Sequence, residues 1–366
     1  MLMEEKPRQK LESLGKLLVG DINSGKNPKF ITAARTKSNI VYDSKSGFLG
    51  LGRAKEERSF INVAQSKRFM QTVAIAAKCH RFLAENLHTT IRGLFYQLKY
   101  SLGEDIDESI FSEQSESNPL IEDIEVALDM KREDLNLNAT RRGVLAGNIK
   151  VIDRFGGERT EIDCSKQGRS GWSIPSDVDN DIEFVDMTAK YVLIVEKDAL
   201  WQRLNEDGFW KKENAILITP QGQATRGTRR LIRKFADMHI PIYVFTDSDA
   251  WGWYIYWTIK TGSINLAYIG KEIATPEARF IGVTISDLDK YEFLKKLTIK
   301  ATEVDLKRAQ EMLGYEWIRQ HKEWVTELER MIKSKIKLEQ DALQGPRLTF
   351  VDEYIREKIK NKEFLP

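Results

Sequence analysis

The sequence predicts a two-part α/β protein, helical in its first half and built on a parallel sheet in its second. Three continuous apolar runs in the second half carry this reading: "YVLIV" (191–195), "NAILITP" (214–220) and "IPIYVF" (240–245). Runs of that kind, alternating with helical patterns, are strands of a sheet covered on both faces. Ahead of them, apolar residues recur at three- and four-residue spacing, as in amphipathic helices. The length of 366 residues suits two domains, and 41% hydrophobic residues suffice for packed cores.

In chain order, a short charged helix opens the protein. "FITAARTKSNIVYD" reads as strand-like, and the glycines of "SGFLGLG" mark turns. A helix is predicted from Val63 to Leu87. "TTIRGLFYQLKYSLG" follows, with a threonine cap, a short helix and a glycine stop at Gly103. A polar loop leads to a third helix in "PLIEDIEVALDMKRED", and "TRRGVLAGNIKVID" reads as a hairpin. Three helices and then a hairpin is the pattern of a winged helix-turn-helix, and also of any small helical bundle. Residues 156–186, rich in Gly, Ser and Asp, read as a linker or an irregular sheet edge. Residues 302–366 are charged amphipathic helices with a break at "QGPRLTF".

Composition excludes several classes. Basic and acidic residues, 57 against 55, nearly cancel to +2, so local rather than net charge must identify partners. "MLMEEKPRQK" has no apolar core of a signal peptide, and no run approaches the ~20 residues of a membrane span. Cys79 and Cys164 are isolated, and His80, His88, His239 and His321 form no ligand pattern. The expectation is a soluble, cytoplasmic protein that is not a zinc enzyme.

Three features carry chemistry. Glu196 ends one apolar strand, and Asp247 and Asp249 follow another in "YVFTDSDAWGWYIY". The carboxyl ends of parallel strands line the ligand crevice of an open α/β sheet. Three carboxylates there repel unless a cation sits among them, and an oxygen-only set suits Mg²⁺. A lone DxD after a strand is common, and Trp251, Trp253, Tyr254, Tyr256 and Trp257 read as core packing of the next helix. "GQATRGTRRLIRK" carries Arg226, Arg229, Arg230, Arg233 and Lys234 into a helix start, which suits phosphate or a solvated basic face. In "TTIRGLFYQ", Arg92 and Tyr96 are four apart and share a helix face. A tyrosine between leucines is ordinarily a core residue, and Tyr100 competes one turn further on.

Together these segments resemble the A subunit of topoisomerase VI, a type IIB DNA topoisomerase with the meiotic double-strand-break protein among its relatives. The matching pieces are "FMQTVAIAAK", "TTIRGLFYQ", "LIEDIEVALDMKREDL" with "RRGVLAGNI", "VLIVEKDALWQRL", "TDSDAWGWYIY" and "KLEQDALQGPRLTFVDEYIREKI". They occur in the family's order from about residue 28 onward. The resemblance implies an N-terminal segment (1–65) that docks on a B subunit, then a winged-helix, catabolite-activator-like domain (66–155). A linker (156–186) and a Toprim domain with C-terminal helices (187–366) follow. Tyr96 falls on the catalytic tyrosine, Arg92 on the motif's arginine, and Glu196, Asp247 and Asp249 on the Mg²⁺ ligands. Arg141, Arg142, Arg226, Arg229 and Arg230 are the expected DNA contacts. Gly93 stands where many members have Asp or Glu, Phe95 where they have tyrosine, and "TPQGQATRGTRR" is shifted from the usual lysine-bearing glycine loop.

The chain has no GxxxxGK[ST] and no GxGxxG. The resemblance therefore implies a separate GHKL-type ATPase B subunit, an A2B2 assembly on double-stranded DNA, and an A homodimer in which one protomer's tyrosine meets the other's metal. Its activity would be ATP-dependent relaxation or decatenation through a transient 5′-phosphotyrosyl double-strand break. The alternatives are a dedicated double-strand-break transesterase without strand passage and an inert winged-helix DNA-binding regulator.

Overall fold

The computed structural model of the chain describes residues 2–99, 101–103, 106–139, 141–155 and 157–366, leaving aside the side chains of 2–6, 101–103, 106–108 and 155. Its residues fall into two compact units: 1–40 with 51–140, and 41–50 with 141–366.

The first unit is mainly helical. Helix α1 (Leu2–Asn23) precedes β1 (Lys29–Ala33), which pairs antiparallel with β2 (Lys55–Ser59). Helix α2 (Val63–Glu85) starts where Asn62 accepts a hydrogen bond from the Ala64 amide, and ends at Asn86 in the left-handed conformation (φ 52°). Helix α3 (Ile91–Leu98) and α4 (Gln114–Leu128) complete the unit. Ile75, Cys79, Phe82, Leu94, Leu98, Phe111 and Ile121 share one apolar core. In it, burial pushes the Cys79 thiol up to about 12. Helix α3 ends at Leu98, before the expected stop: Ser101–Gly103 pairs with Ile106–Ser109 as a strand. Residues 20–27, "GDINSGKN", match a phosphate-loop pattern save its final Ser or Thr. Here they close a helix instead of opening one, and the Ser24 and Gly25 amides donate back to Gly20 and Ile22.

The second unit is built on a six-stranded sheet. Its strands are β3 (Val144–Gly147), β6 (Trp172–Ser173), β8 (Tyr191–Val195), β9 (Ala215–Thr219), β10 (Ile242–Phe245) and β11 (Arg279–Gly282), in the order β6-β3-β9-β8-β10-β11. The four from β8 to β11 run parallel. All five residues of β8 and of β9 are buried, as the continuous apolar runs require. A smaller sheet, β5-β4-β7, joins β4 (Ile149–Phe155), β5 (Glu158–Asp163) and β7 (Ile182–Met187).

One local expectation changes here. "VLAG" and "IKVID" do not pair as a hairpin: β3 joins the large sheet and β4 the small one. One residue separates them, too few for a hairpin turn. Gly147 turns the chain at φ 155°, where a Cβ would press on Ile216 Cα at 3.0 Å. Of the two readings of 156–186, the sheet edge fits: the stretch carries β5, β6 and most of β7, each at the edge of its sheet.

Helices α5 (Asp198–Glu206), α6 (Arg226–Asp237) and α7 (Ala250–Thr261) follow β8, β9 and β10. Three more, α8 (Glu303–Leu313), α9 (Lys322–Ser334) and α10 (Phe350–Asn361), occupy the C-terminal region. Trp253, Tyr256 and Trp257 of α7 are buried against Trp324 of α9, as core packing predicts; Trp251 is the exposed member of the run. Among the described residues, no helix is long and apolar enough to cross a membrane.

Candidate active site

The first unit offers a tyrosine. Thr90 Oγ1 accepts from the Gly93 amide at 2.9 Å and starts α3. Leu94, Phe95 and Leu98 then face the core, at 0%, 6% and 3% exposure. Helical geometry puts Arg92 and Tyr96 on the other face. Tyr96 is 60% exposed, and the Arg92 guanidinium lies 5.9 Å from its ring centroid. The ordinary expectation for a tyrosine between leucines is thus reversed: the leucines anchor the helix and the phenol stands in solvent beside a cation. A side chain at Gly93 would run into the Thr89 hydroxyl as placed. Tyr100, the competing tyrosine, lies outside the described residues.

The second unit brings the three acids to neighbouring strand ends. Val195 of β8 pairs with Phe245 of β10, so Glu196 and Asp247 leave the sheet side by side. Glu196 Oε2 accepts from the Asp247 amide at a long 3.4 Å. Asp249 Oδ1 accepts from the amides of Trp251 (3.0 Å) and Gly252 (2.7 Å), so it is also the N-cap of α7. The helix approaches so closely that a Cβ on Gly252 would lie 2.5 Å from the Asp247 carbonyl oxygen.

The electrostatics of this cluster are strained. Burial, then repulsion from Asp247 and Asp249, pushes Glu196 up to about 7. Burial pushes Asp247 up to about 6, against the pull of the Gln340 amide and Lys197. Residues 337–341 also reach the site. The Gln340 amide donates to Asp247 Oδ1 (2.8 Å), and Ser248 and Leu338 exchange backbone hydrogen bonds. Lys337 Nζ lies 3.2 Å from Asp305 and 3.7 Å from Asp249. Lys197 Nζ contacts Asp247, Glu339 and Asp341. The family motif "KLEQDALQGPRL" contained these residues, but nothing local in it tied them to strand ends some 90 to 140 positions earlier.

Among the described residues, no three His, Cys, Asp or Glu side chains converge at metal-ligand spacing. The donor set still fits a hard dication. Glu196 and Asp247 are adjacent carboxylates whose like charges oppose each other, and Mg²⁺ needs only one or two carboxylates, with water completing its shell. Metal-free protein should accordingly lose stability as pH rises from about 4.5 to about 7. A carboxyl with a raised folded pKa favours the folded state while protonated, and that advantage disappears on ionisation. Glu196→Gln should flatten this dependence and raise the melting temperature in EDTA at pH 8. The ceiling is about 3 kcal/mol, the free energy of moving Glu196 from 4.5 to about 7. Thermal melts of both proteins at pH 5 and pH 8 check this; identical slopes would refute it.

The basic run turns inward. Arg226 (7% exposed) donates to the Tyr268 hydroxyl and stacks on its ring. Arg229 is 4% exposed. Arg230 grips both Asp179 oxygens through Nε (2.6 and 2.8 Å) and donates to the Glu272 carbonyl (2.8 Å). Arg226 and Arg230 tie α6 to its surroundings, and Arg229 is buried in the same helix. Arg141 and Arg142 are exposed. Arg142 Nη2 would lie 3.6 Å from a Cβ at Gly222, whose amide donates to the Glu196 carbonyl (3.2 Å).

Comparison with known proteins places this arrangement. Residues 191–359 match the family model for the Toprim domain shared by Spo11 and the topoisomerase 6 A subunit. Residues 67–137 match "Type IIB DNA topoisomerase", and residues 142–188 "All-beta domain in DNA topoisomerase VI alpha subunit". The last span covers β3 through β7. The fold and these matches define a Toprim-bearing type IIB DNA topoisomerase. The type 2 DNA topoisomerase 6 A subunit of Aeropyrum pernix is 40% identical over 95% of this chain and 92% of its own length. The Pyrococcus horikoshii protein of the same name is 40% identical over 99% and 96%. The A3 subunit of DNA topoisomerase 6 from Oryza sativa is 31% identical over 94% of this chain and 75% of its own. The chain belongs to the family of type 2 DNA topoisomerase 6 A subunits, which are isomerases.

Proposed function

We propose that this chain makes a transient break in duplex DNA as the cleaving subunit of an ATP-dependent type IIB topoisomerase. The observation that carries the reading is Tyr96, solvent-exposed on a core-anchored helix with Arg92 one turn away. The Tyr96 phenol oxygen attacks the phosphorus of a phosphodiester. Its proton leaves, the bond to the 3′ oxygen breaks, and a 5′-phosphotyrosyl link forms beside a free 3′-hydroxyl. Arg92 supports the negative charge that builds on the phosphoryl oxygens. Glu196 and Asp247, with Asp249 alongside, would hold Mg²⁺. When bound, the ion neutralises charge on the scissile or neighbouring phosphate. The 3′-hydroxyl reverses the reaction, because the phosphotyrosyl link keeps the energy of the original bond.

Residues 66–155, with helices α2 to α4, form a winged-helix domain that presents Tyr96, and residues 187–366, which carry Glu196, form a Toprim domain with C-terminal helices. Arg141 and Arg142, exposed where Arg226, Arg229 and Arg230 are not, contact DNA phosphates. ATP hydrolysis belongs to a GHKL-type B subunit, on which residues 1–65 dock in an A2B2 heterotetramer containing an A homodimer. The complex works at the nucleoid.

The test is denaturant trapping. With a B subunit, ATP and Mg²⁺, quenching in detergent should leave protein on the 5′ ends of linearised plasmid. EDTA added before the quench should abolish the adduct. Relaxation with no trappable adduct would refute the mechanism.

A further inference from the structure

We propose that Lys197 is a built-in counter-cation of the acid site, anchored by Glu339 and Asp341, that surrenders Asp247 when a divalent cation binds. This rests on the metal reading above and adds a positioning residue to it.

An ammonium group has three N–H donors. Lys197 Nζ has three carboxylates around it: Asp247 at 3.1 Å, Glu339 at 3.0 Å and Asp341 at 2.6 Å. Its side chain is 26% exposed and that of Asp247 13%, so the pair is partly screened from solvent. Lys337, Glu339 and Asp341 occupy alternate positions of one segment. Their side chains meet, in turn, Asp249, Lys197 and Lys197 again. Each aspartate of the DxD pair therefore has a lysine: Asp247 has Lys197 and Asp249 has Lys337.

The two oxygens of Asp247 are divided. Oδ1 accepts from the Gln340 amide, and Oδ2 faces Lys197. A cation binding at Oδ2 must compete with the lysine. Glu339 and Asp341 make that exchange feasible, because Lys197 keeps two carboxylate partners after losing the third and no ammonium is left unpaired. They also stop the lysine from committing wholly to Asp247. The design predicts opposite effects on cation affinity from the two sides of the ion-pair cluster.

The experiment measures Mn²⁺ binding to the full chain without DNA, by calorimetry and by electron paramagnetic resonance of the free ion, with Glu196→Gln as reference. Lys197→Met keeps most of the aliphatic stem and removes the competitor. It should bind Mn²⁺ about tenfold more tightly, the scale of one partly buried ion pair. In EDTA it should melt below the wild type, and saturating Mn²⁺ should close that gap. The double variant Glu339→Gln, Asp341→Asn leaves every candidate ligand in place and should bind several-fold more weakly. If Lys197→Met does not fold, the double variant decides alone. Unchanged or weaker binding by Lys197→Met, or unchanged binding by the double variant, overturns the proposal. If wild type and Glu196→Gln bind alike, the metal reading falls and takes this inference with it.

Discussion

Tyr96→Phe is expected to abolish covalent DNA capture and relaxation together, by at least about 10⁴-fold, the scale on which removing a nucleophile acts. The substitution deletes one oxygen from a ring that is 60% exposed. Its cost in stability should stay within about 0.5 kcal/mol, as for surface changes generally. Folding and non-specific DNA binding should match the wild type. Tyr100→Phe should retain activity. Arg92→Ala should fall between the two, since the adduct can still form while charge on the phosphoryl group goes unsupported. An adduct that persists in Tyr96→Phe and maps by peptide mass to another residue would remove Tyr96 from the mechanism.

Glu196→Gln and Asp247→Asn should each eliminate cleavage while leaving DNA affinity and its salt dependence nearly intact. Affinity for a polyanion comes from basic groups releasing counterions, and neither substitution touches one. Losing a carboxylate even reduces repulsion of the phosphates slightly. EDTA should reproduce both phenotypes in the wild type, and Mg²⁺ should restore only the wild type. Asp249 needs a paired control because it also caps α7. Asn is as good a cap as Asp, whereas Ala costs about 1 kcal/mol. Asp249→Asn should thus lose cleavage and keep its melting temperature, and Asp249→Ala should lose both. Full cleavage by Glu196→Gln in Mg²⁺ would make the carboxylate structural.

What could be read from the chain was whatever is written locally. The apolar runs at 191–195, 215–219 and 242–245 are strands of a sheet covered on both faces, the first two wholly buried and the third buried except at Tyr243. The helix expected from Val63 runs to Glu85, within two residues of its predicted end, because an asparagine in left-handed conformation stops it. The face shared by Arg92 and Tyr96 follows from helical spacing alone. What stayed hidden depends on partners far away in sequence. Arg226 and Arg230, read as phosphate contacts, meet Tyr268 and Asp179, partners that no local pattern announces. "VLAG" and "IKVID" look like one hairpin until each finds its partner strand in a different sheet. Lys197 looks like an incidental neighbour of Glu196 until Glu339 and Asp341, 142 and 144 positions on, arrive beside it.

That separation sets an order of events during synthesis. Asp247 emerges from the ribosome 93 residues before Gln340, whose amide holds one of its oxygens. At about 5–20 residues per second, the DxD pair waits roughly 5–20 seconds for the segment that frames it. A nascent chain that stops before residue 337 therefore carries Glu196, Asp247 and Asp249 without the segment that frames them.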